Sequence, residues 1–292
     1  MTIYNLGSIN IDLFYSVPHF PKPGETLAAT SHSTGLGGKG ANQSVAAALA
    51  GSDAVHIGAV GRDGGWAIER MRHFGVDTAH VITVDTPTAH AIINVDPRGE
   101  NAIVIFSGAN LEQSLTQVNS TLSAASHGDI LLLQNEAALT IEAATKAKSR
   151  GLYVIYSAAP FDADAVRAVL PFVDLLVMND VETEHLTRHM NLKIADLDVP
   201  HLLITHGSKG ATWHDLGTGD KIDVPAFVVK PVDTTGAGDC FIGYVAAGLD
   251  QGLSPRDAMR RASAASALQV TRPGTADAIP TGAEVSDFLA SR

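Results

Sequence analysis

The residues of this chain best suited to chemistry lie in Asp233-Thr234-Thr235-Gly236-Ala237-Gly238-Asp239-Cys240, a glycine-broken run leading into the apolar stretch Phe241 to Leu249. Where backbone without side chains opens a helix, free N–H groups and the positive end of the helix dipole face outward. The result is an anion site that needs no lysine. Asp239 sets a carboxylate beside that site, where it could take a proton from a hydroxyl attacking the bound anion. Taken alone, the same pattern also describes an ordinary strand-to-helix turn with an acid in the first helical turn. Cys240 adjoins the carboxylate, but no histidine partner can be named for it, so it reads as a small apolar residue of that turn.

A second glycine run, Gly35-Leu36-Gly37-Gly38-Lys39-Gly40-Ala41-Asn42-Gln43, also enters an alanine-rich helical stretch. Gly35, Gly37 and Gly40 satisfy G-x-G-x-x-G, yet the run follows hairpin-like sequence rather than the first strand, and no acidic strand end lies about 20 residues on. That disfavours a nicotinamide-dependent dehydrogenase. A P-loop fails because Gly40, not Ser or Thr, follows Lys39. The glycines are better suited to letting a sugar approach the backbone, with Lys39 and Asn42 as donors; a tight turn is the plain alternative.

Other polar residues gain meaning from their position. Asn10 and Asp12, two apart in an extended segment, share a face and could grip adjacent hydroxyls. Glu136 follows the apolar run Ile130 to Leu133, beyond a strand's carboxyl end, where open α/β sheets collect ligands. Asn179 and Glu182 have capping-box spacing; the functional alternative sets Asn179 near phosphates and Glu182 at a hydrated Mg²⁺. His185 and His189 lack the intervening Glu of an HExxH site and read as a solvated helix face.

The elements that must position these groups follow from periodicity. Ile3 to Leu6, Val55 to Val60, Asp129 to Leu133, Leu152 to Tyr156, Leu175 to Met178 and His201 to Thr205 read as core strands. Helices are expected at Ala41 to Ala50, Trp66 to Phe74, Ile141 to Lys148, Val181 to His189, Cys240 to Leu249, Pro255 to Val270 and Ala283 to Ala290. The alternation predicts an α/β fold with a largely parallel sheet. Ile11 to Ser33 and Thr88 to Phe106 interrupt it and read as antiparallel hairpins forming a small lid. With 292 residues, 45% hydrophobic and 17% charged, one principal domain is expected. A net charge of −11 gives no basic footprint for nucleic acid or an anionic membrane. The single cysteine and the lack of any long apolar run or leader-like start fit a protein of the reducing cytoplasm.

Several ordered stretches together carry a resemblance: Gly7-Ser8-Ile9-Asn10-Ile11-Asp12, Pro23-Gly24-Glu25-Thr26, Gly37 to Gln43, Gly99-Glu100-Asn101, Ser107-Gly108-Ala109-Asn110, Asn179 with Glu182, and Asp233 to Asp239. From Gly7 nearly to its end, the chain resembles the ribokinase branch of the PfkB-type carbohydrate kinases. The resemblance implies a ribokinase-like, doubly wound α/β domain over residues 1–292, flanked by helices. Segments of about 11–33 and 88–106 would form a β lid that serves as a homodimer interface. It implies ATP-dependent, Mg²⁺-assisted phosphorylation of a primary sugar hydroxyl, with D-ribose the leading substrate. It makes Asp239 the base and Gly236, Ala237 and Gly238 the anion hole. Asn10, Asp12, Gly38, Lys39, Asn42 and Glu136 are implied for the sugar, and Asn179, Thr205, Gly207, Lys209, Gly210 and Gly238 for the nucleotide. Asp233, Thr235, Gln269, Arg272 and Gly274, mostly through backbone oxygens, match a monovalent cation site, usually for K⁺.

The chain departs from the family pattern at three places. Ser157 stands where Asn is usual, which would alter phosphate-side hydrogen bonding. His90 and Asn94 replace apolar residues of the lid, where they would change the pocket wall or its packing. Ala278 replaces a serine that completes the cation site. Rival readings are a kinase of another sugar or a nucleoside, and a sugar- or nucleotide-binding protein without catalysis. The retained Asp239 and its glycines argue against the second.

Overall fold

All four side chains of Ile130–Leu133 are buried, as are those of Leu175 through Met178. Strands without a wet face demand helices on both sides. The computed structural model describes all 292 residues. In chain order its elements are β1 (Thr2–Leu6), β2 (Asn10–Ser16), β3 (Ser31–Gly37), α1 (Lys39–Leu49), β4 (Asp53–Gly61), α2 (Gly65–His73), β5 (Asp77–Val84), β6 (Ala89–Val95) and β7 (Asn101–Phe106). Next come α3 (Leu115–Ser123), β8 (Ile130–Leu133), α4 (Thr140–Ser149), β9 (Tyr153–Ser157), α5 (Ala163–Val169), β10 (Leu175–Asn179), α6 (Asp180–Met190) and β11 (His201–Thr205). The chain closes with β12 (Ala211–Asp215), β13 (Lys221–Val224), α7 (Ala237–Asp250), α8 (Pro255–Gln269) and α9 (Gly282–Ala290).

Nine strands form the main sheet, in the order β13-β12-β11-β10-β9-β8-β1-β4-β5. Pairing is parallel from β11 through β5, and only β12 and β13 run antiparallel, at one edge. Alternate side chains of each strand go to opposite faces. Ile3, Leu132 and Leu203 join a core under α1, α2, α7, α8 and α9. Leu6, Leu133 and Ile204 join a second core under α3, α4, α5 and α6. No helix is long and apolar enough to cross a membrane.

The chain first builds from β1 toward β5, then returns across the sheet and builds from β8 toward β13. The carboxyl ends of β1 and β8, where the direction reverses, therefore open a crevice, the usual ligand position in such sheets. Leaving β1, the chain enters the second sheet, ordered β3-β2-β6-β7. Its β2–β3 and β6–β7 pairs are the expected antiparallel hairpins, while β2 and β6 join them in parallel. Cross-strand register puts Asn10 and Asp12 on one face with Ala89 and Ala91, and puts His90 and Asn94 on the other with Ile11 and Tyr15. The departures at His90 and Asn94 therefore do not touch the pocket wall. His90 instead packs its ring on Phe106, centroids 5.2 Å apart.

Helices α1 and α7 approach closely because Gly243 faces α1. A Cβ there would lie 2.5 Å from both Ala46 Cβ and Gln43 O. Gly243→Ala must push the helices apart, and overpacking of this kind costs about 1–3 kcal/mol. Chemical denaturation should show that loss of stability as a lower midpoint; an unchanged midpoint would show that the helices can yield.

Candidate active site

Asp239 stands in the first turn of α7, yet is only 8% exposed. A buried carboxylate needs donors, and α1 supplies two. Asn42 Nδ2 donates to Asp239 Oδ2 at 3.1 Å, and Gln43 Nε2 donates to Oδ1 at 3.1 Å. Burial pushes this carboxyl above the usual aspartate range. Lys39 and the two amides pull against that shift, while Glu136 adds to it. The turn before it is glycine-built for a reason: Gly236, at φ 74, is the N-cap of α7 in the left-handed region. The N–H groups of Gly236, Gly238 and Asp239 have no partner within the protein, whereas that of Ala237 leans on Thr234 O at 3.3 Å. Of the three residues expected to form an anion hole, Gly236 and Gly238 thus keep unpartnered N–H groups and Ala237 does not.

Around this turn the structure brings together most of the residues singled out above. Lys39, Ser157, Asn179, Glu182, Thr205, Gly236, Ala237, Gly238 and Asp239 line a cavity of about 240 Å³. A larger one of about 530 Å³ shares Asn179, Thr205, Thr234, Ala237 and Gly238 with it and extends past Gly207 and Gly210. Its far wall is Ala226, Phe227, Val228, Phe241, Ala267 and Val270, with Ser263 and Ser266. Nothing in the sequence flagged that wall, because small and apolar residues of a loop and two core helices carry no polar signal. Lys209 is exposed on its turn and does not line the cavity.

Asp12, Glu136 and Lys39 also neighbour Asp239, near enough for their charges to act on one another. Ser8 Oγ donates to Glu136 Oε2 at 2.5 Å, and the backbone N–H of Lys39 donates to the same oxygen at 3.1 Å. Asn10 Oδ1 accepts from Asn110 Nδ2 at 2.8 Å, and Asn110 Oδ1 accepts from Ile9 N–H at 2.9 Å. Gly38, at φ 92, caps α1 beside them. Asp12 is buried, and its carboxylate accepts no hydrogen bond from the protein. Burial first, then Glu136 and Asp239, raise its value to about 7. Burial works against the charge of Lys39, but Asp239, Glu136 and Glu182 raise its value overall. Ser8, Gln43, Gln134 and Asn110 escaped individual notice as site residues, although Ser8, Gln43 and Asn110 sit inside the quoted motifs.

Asn179 and Glu182 do form the capping box of α6: Glu182 N–H donates to Asn179 Oδ1 and Asn179 N–H donates to Glu182 Oε2, each at 2.8 Å. Asp233 ties two loops, its Oδ1 accepting from Thr235 N–H at 2.9 Å and its Oδ2 from Gly274 N–H at 3.0 Å. Gln269 Nε2 donates to Thr235 O at 3.2 Å, and its Oε1 is buried without a donor. The Arg272 side chain turns away to Glu284, at 2.6 Å. Ala278 is buried and has no side-chain oxygen to offer. Cys240 is buried, and burial raises its thiol, which removes any nucleophilic role. His185 packs near Phe161 and His189 near Asp164, and no cluster of three or more His, Cys, Asp or Glu could hold a metal.

Comparison with known proteins agrees with this geometry. The model of the pfkB family carbohydrate kinases matches residues 2–282. The chain is 36% identical to the ribokinase of Haemophilus influenzae, over 99% of this chain and 98% of that one. It is 32% identical to the deoxyribokinase of Salmonella typhi, over 99% of each chain. The structure of Arabidopsis thaliana ribokinase complexed with ribose and ATP superimposes with a TM-score of 0.88, at 29% identity and covering 99% of this chain and 98% of that one.

The raised value of Asp12 has a consequence for stability. An aspartate that folding lifts from 3.8 to about 7 has no effect below the lower value, weakens the fold as pH rises between the two, and is constant above. Asp12→Asn abolishes this term. Relative to wild type, the unliganded variant should gain stability between pH 4 and 7, with a slope approaching about 1.4 kcal/mol per pH unit. Denaturant melts across that range measure it, and a pH-independent difference would sink the assignment.

Proposed function

The chain belongs to the pfkB family of carbohydrate kinases, and from that premise we propose that it transfers the γ-phosphoryl group of ATP to the primary hydroxyl, O5, of D-ribose. One observation carries the reading: a buried carboxylate, Asp239, lies between an open helix-turn anion site on a nucleotide-sized cavity and a cluster of side chains suited to sugar hydroxyls. Asn10, Asp12, Gly38, Lys39, Asn42 and Glu136 hold the sugar. Asn179, Thr205, Gly207 and Gly210 flank the nucleotide, whose base enters the apolar part of the larger cavity. The relatives named ribokinase and the plant complex with ribose and ATP support the choice of sugar and donor.

Phosphoryl transfer through a loose transition state asks mainly for alignment and charge stabilisation. Asp239 accepts a hydrogen bond from the sugar's O5 hydroxyl, aims that oxygen at the γ-phosphorus, and takes its proton as the new P–O bond forms and the bond from the γ-phosphorus to the bridging oxygen breaks, ADP leaving with that electron pair. The N–H groups of Gly236, Ala237 and Gly238 face the charge on the transferred group, with Ala237 released from Thr234 O. Mg²⁺ fits Glu182, whose Oε2 is held by the cap and whose other oxygen is left for a metal-bound water; such an ion keeps most of its hydration and neutralises phosphate charge. K⁺ would fit the Asp233–Gly274 loop pair with Thr235 and Arg272 carbonyls, where Gln269 turns its amide N–H to Thr235 O. That ion would supply positive charge beside the anion hole.

The second sheet acts as a lid and as the contact of a homodimer. Its edge strand β7 exposes Ile103, Val104, Ile105 and Phe106, each at least 45% accessible. An edge of this kind invites pairing with another copy. Val104→Glu should convert the dimer to a monomer in sedimentation; a wild-type monomer would overturn the contact.

ADP release coupled to a reporter, with D-ribose, 2-deoxy-D-ribose, ketoses and nucleosides in parallel, tests the activity. Ribose should be the best acceptor, and good turnover of another compound without ribose turnover would reassign the sugar. Asp239→Asn should lower turnover by at least about 100-fold, with ribose affinity within several-fold by calorimetry. Near-normal turnover would remove Asp239 as the base.

A further inference from the structure

The Gln43 amide that donates to Asp239 does not end there. Its Oε1 accepts from Gln134 Nε2 at 2.7 Å. Gln134 Nε2 also donates to Asn5 Oδ1 at 3.0 Å. Asn5 Nδ2 donates to Ser44 Oγ and to Gly40 O, both at 2.9 Å. Ser44 Oγ pairs with His56 Nδ1 at 2.8 Å, and His56 Nε2 with Gly7 O at 3.2 Å. Asn5, Gln43, Ser44, His56 and Gln134 all have 0% exposure. None of them touches the cavity walls described above.

The chemistry of the two ends orders every proton between them. Gly7 O is a carbonyl and only accepts, so His56 carries its proton on Nε2 and takes the Ser44 hydroxyl on Nδ1. Ser44 must then accept from Asn5, which leaves Asn5 Oδ1 to accept from Gln134. At the other end, ionised Asp239 only accepts, so Gln43 presents Nε2 to it and Oε1 to Gln134. Gln134 is left donating both ways, and its Oε1 is buried with no donor at all. Rotating the Gln134 amide would satisfy nothing: it would set oxygen against the oxygens of Asn5 and Gln43. An unsatisfied buried carbonyl is unfavourable, and here it is the consequence of pointing an N–H at Gln43.

We propose that Gln43 and Gln134 are positioning residues of the phosphoryl transfer, locking the Asp239 carboxylate in its ionised, oriented form through a relay of amides whose bonds run outward from Gln134, to Asp239 on one side and to His56 and Gly7 on the other. The proposal rests on the reading of Asp239 as the base. With Oδ1 fixed by Gln43, the carboxylate cannot rotate freely, and the edge of Oδ2 not used by Asn42 is left for the substrate hydroxyl. His56 is suited to anchor the relay because burial lowers its value to about 4, which keeps it neutral and its tautomer constant. The charged groups facing Asp239 are Lys39, which favours the carboxylate, and Glu136 and Asp12, which oppose it. The donated N–H of Gln43 works on the side of Lys39.

The test uses full-length protein with Mg²⁺, K⁺, ATP and D-ribose, and reads two things. One is the acid limb of kcat against pH; the other is the titration of the Asp239 carboxyl carbon by NMR in unliganded protein. Gln43→Met keeps the length of the side chain and removes its amide. It should move the acid limb and the carboxyl titration upward by about one pH unit. Near neutral pH, kcat should fall about tenfold or more, with little change in the KM for ribose. Gln134→Met does not contact Asp239 and should shift the same titration in the same direction by releasing the Gln43 amide. It also serves if Gln43→Met does not fold. An Asp239 titration unmoved by either folded variant would overturn the relay, even if thermal stability fell, since a purely structural role predicts that pattern. Wild-type protein inactive toward every sugar would overturn the kinase reading instead, and the titration would still decide the relay.

Discussion

The structure depends on keeping a carboxylate charged where there is almost no water. Asp239 is buried where α1 meets the first turn of α7, and burial alone drives such a group toward its neutral form. Three things oppose that tendency: the Lys39 ammonium, the Asn42 and Gln43 amides, and the positive end of α7 itself. The first two exist only if α1 and α7 lie in contact, so the closeness granted by Gly243 and the alanines facing it is a requirement of the site. Had α1 and α7 been spaced by larger side chains, the amides of α1 could not reach Asp239. Burial would then act on the carboxyl with less to oppose it.

The sheet supplies the rest by topology. Parallel strands end at the same edge, so residues far apart in sequence meet there without any specific design of the loops. Ser8 after β1 and Glu136 after β8 are 128 positions apart, yet share a hydrogen bond because β1 and β8 are neighbours. The insertion of the second sheet directly after β1 brings Asn10 and Asp12 over the same crevice. Asn110, at the return from that sheet, holds both Asn10 and the backbone of Ile9, so the second sheet is tied to the main one at the site itself.

Much of this was legible in the sequence, and the reasons for the gaps are physical. The core strands and helices were recognisable to within a few residues because full burial leaves uniform apolar runs and amphipathic helices leave a period. The edge strands β12 and β13 and strand β5 were not, since one wet side mixes polar residues into the pattern. Helices α3 and α5 were missed, α3 because Ser, Thr and Asn fill it, although Ser114 and Gln117 form the capping box that announces it. The helix-turn anion site and Asp239 were visible through their glycines. Gln43 and Gln134 were not, because a buried amide looks like any polar residue until its partners are known. The displacement of His90 and Asn94 from the pocket wall followed from strand register, which alternation within one strand cannot reveal without its neighbour.

The two ends of the proposed reaction are recognised by different physics. The nucleotide end is bounded by small and apolar residues with two serines, so it fixes a base mainly by shape and is tolerant of small changes. The sugar end contains polar atoms that the protein leaves without partners of its own: the Asp12 carboxylate has no donor, and Asn42 Oδ1 is buried and unpaired. Such groups are stabilised only when a ligand supplies hydroxyls at the right places. An acceptor lacking one hydroxyl leaves a buried polar atom unsatisfied, a penalty of roughly 1–3 kcal/mol or more for a charged group. Discrimination therefore resides in the sugar, and it grows with each side chain whose hydrogen bonds the fold withholds. The elevated value of Asp12 belongs to the same logic. A carboxyl that is readily neutral when the pocket is empty makes the waiting site tolerable, and hydroxyls arriving as donors favour the charged form that then grips them.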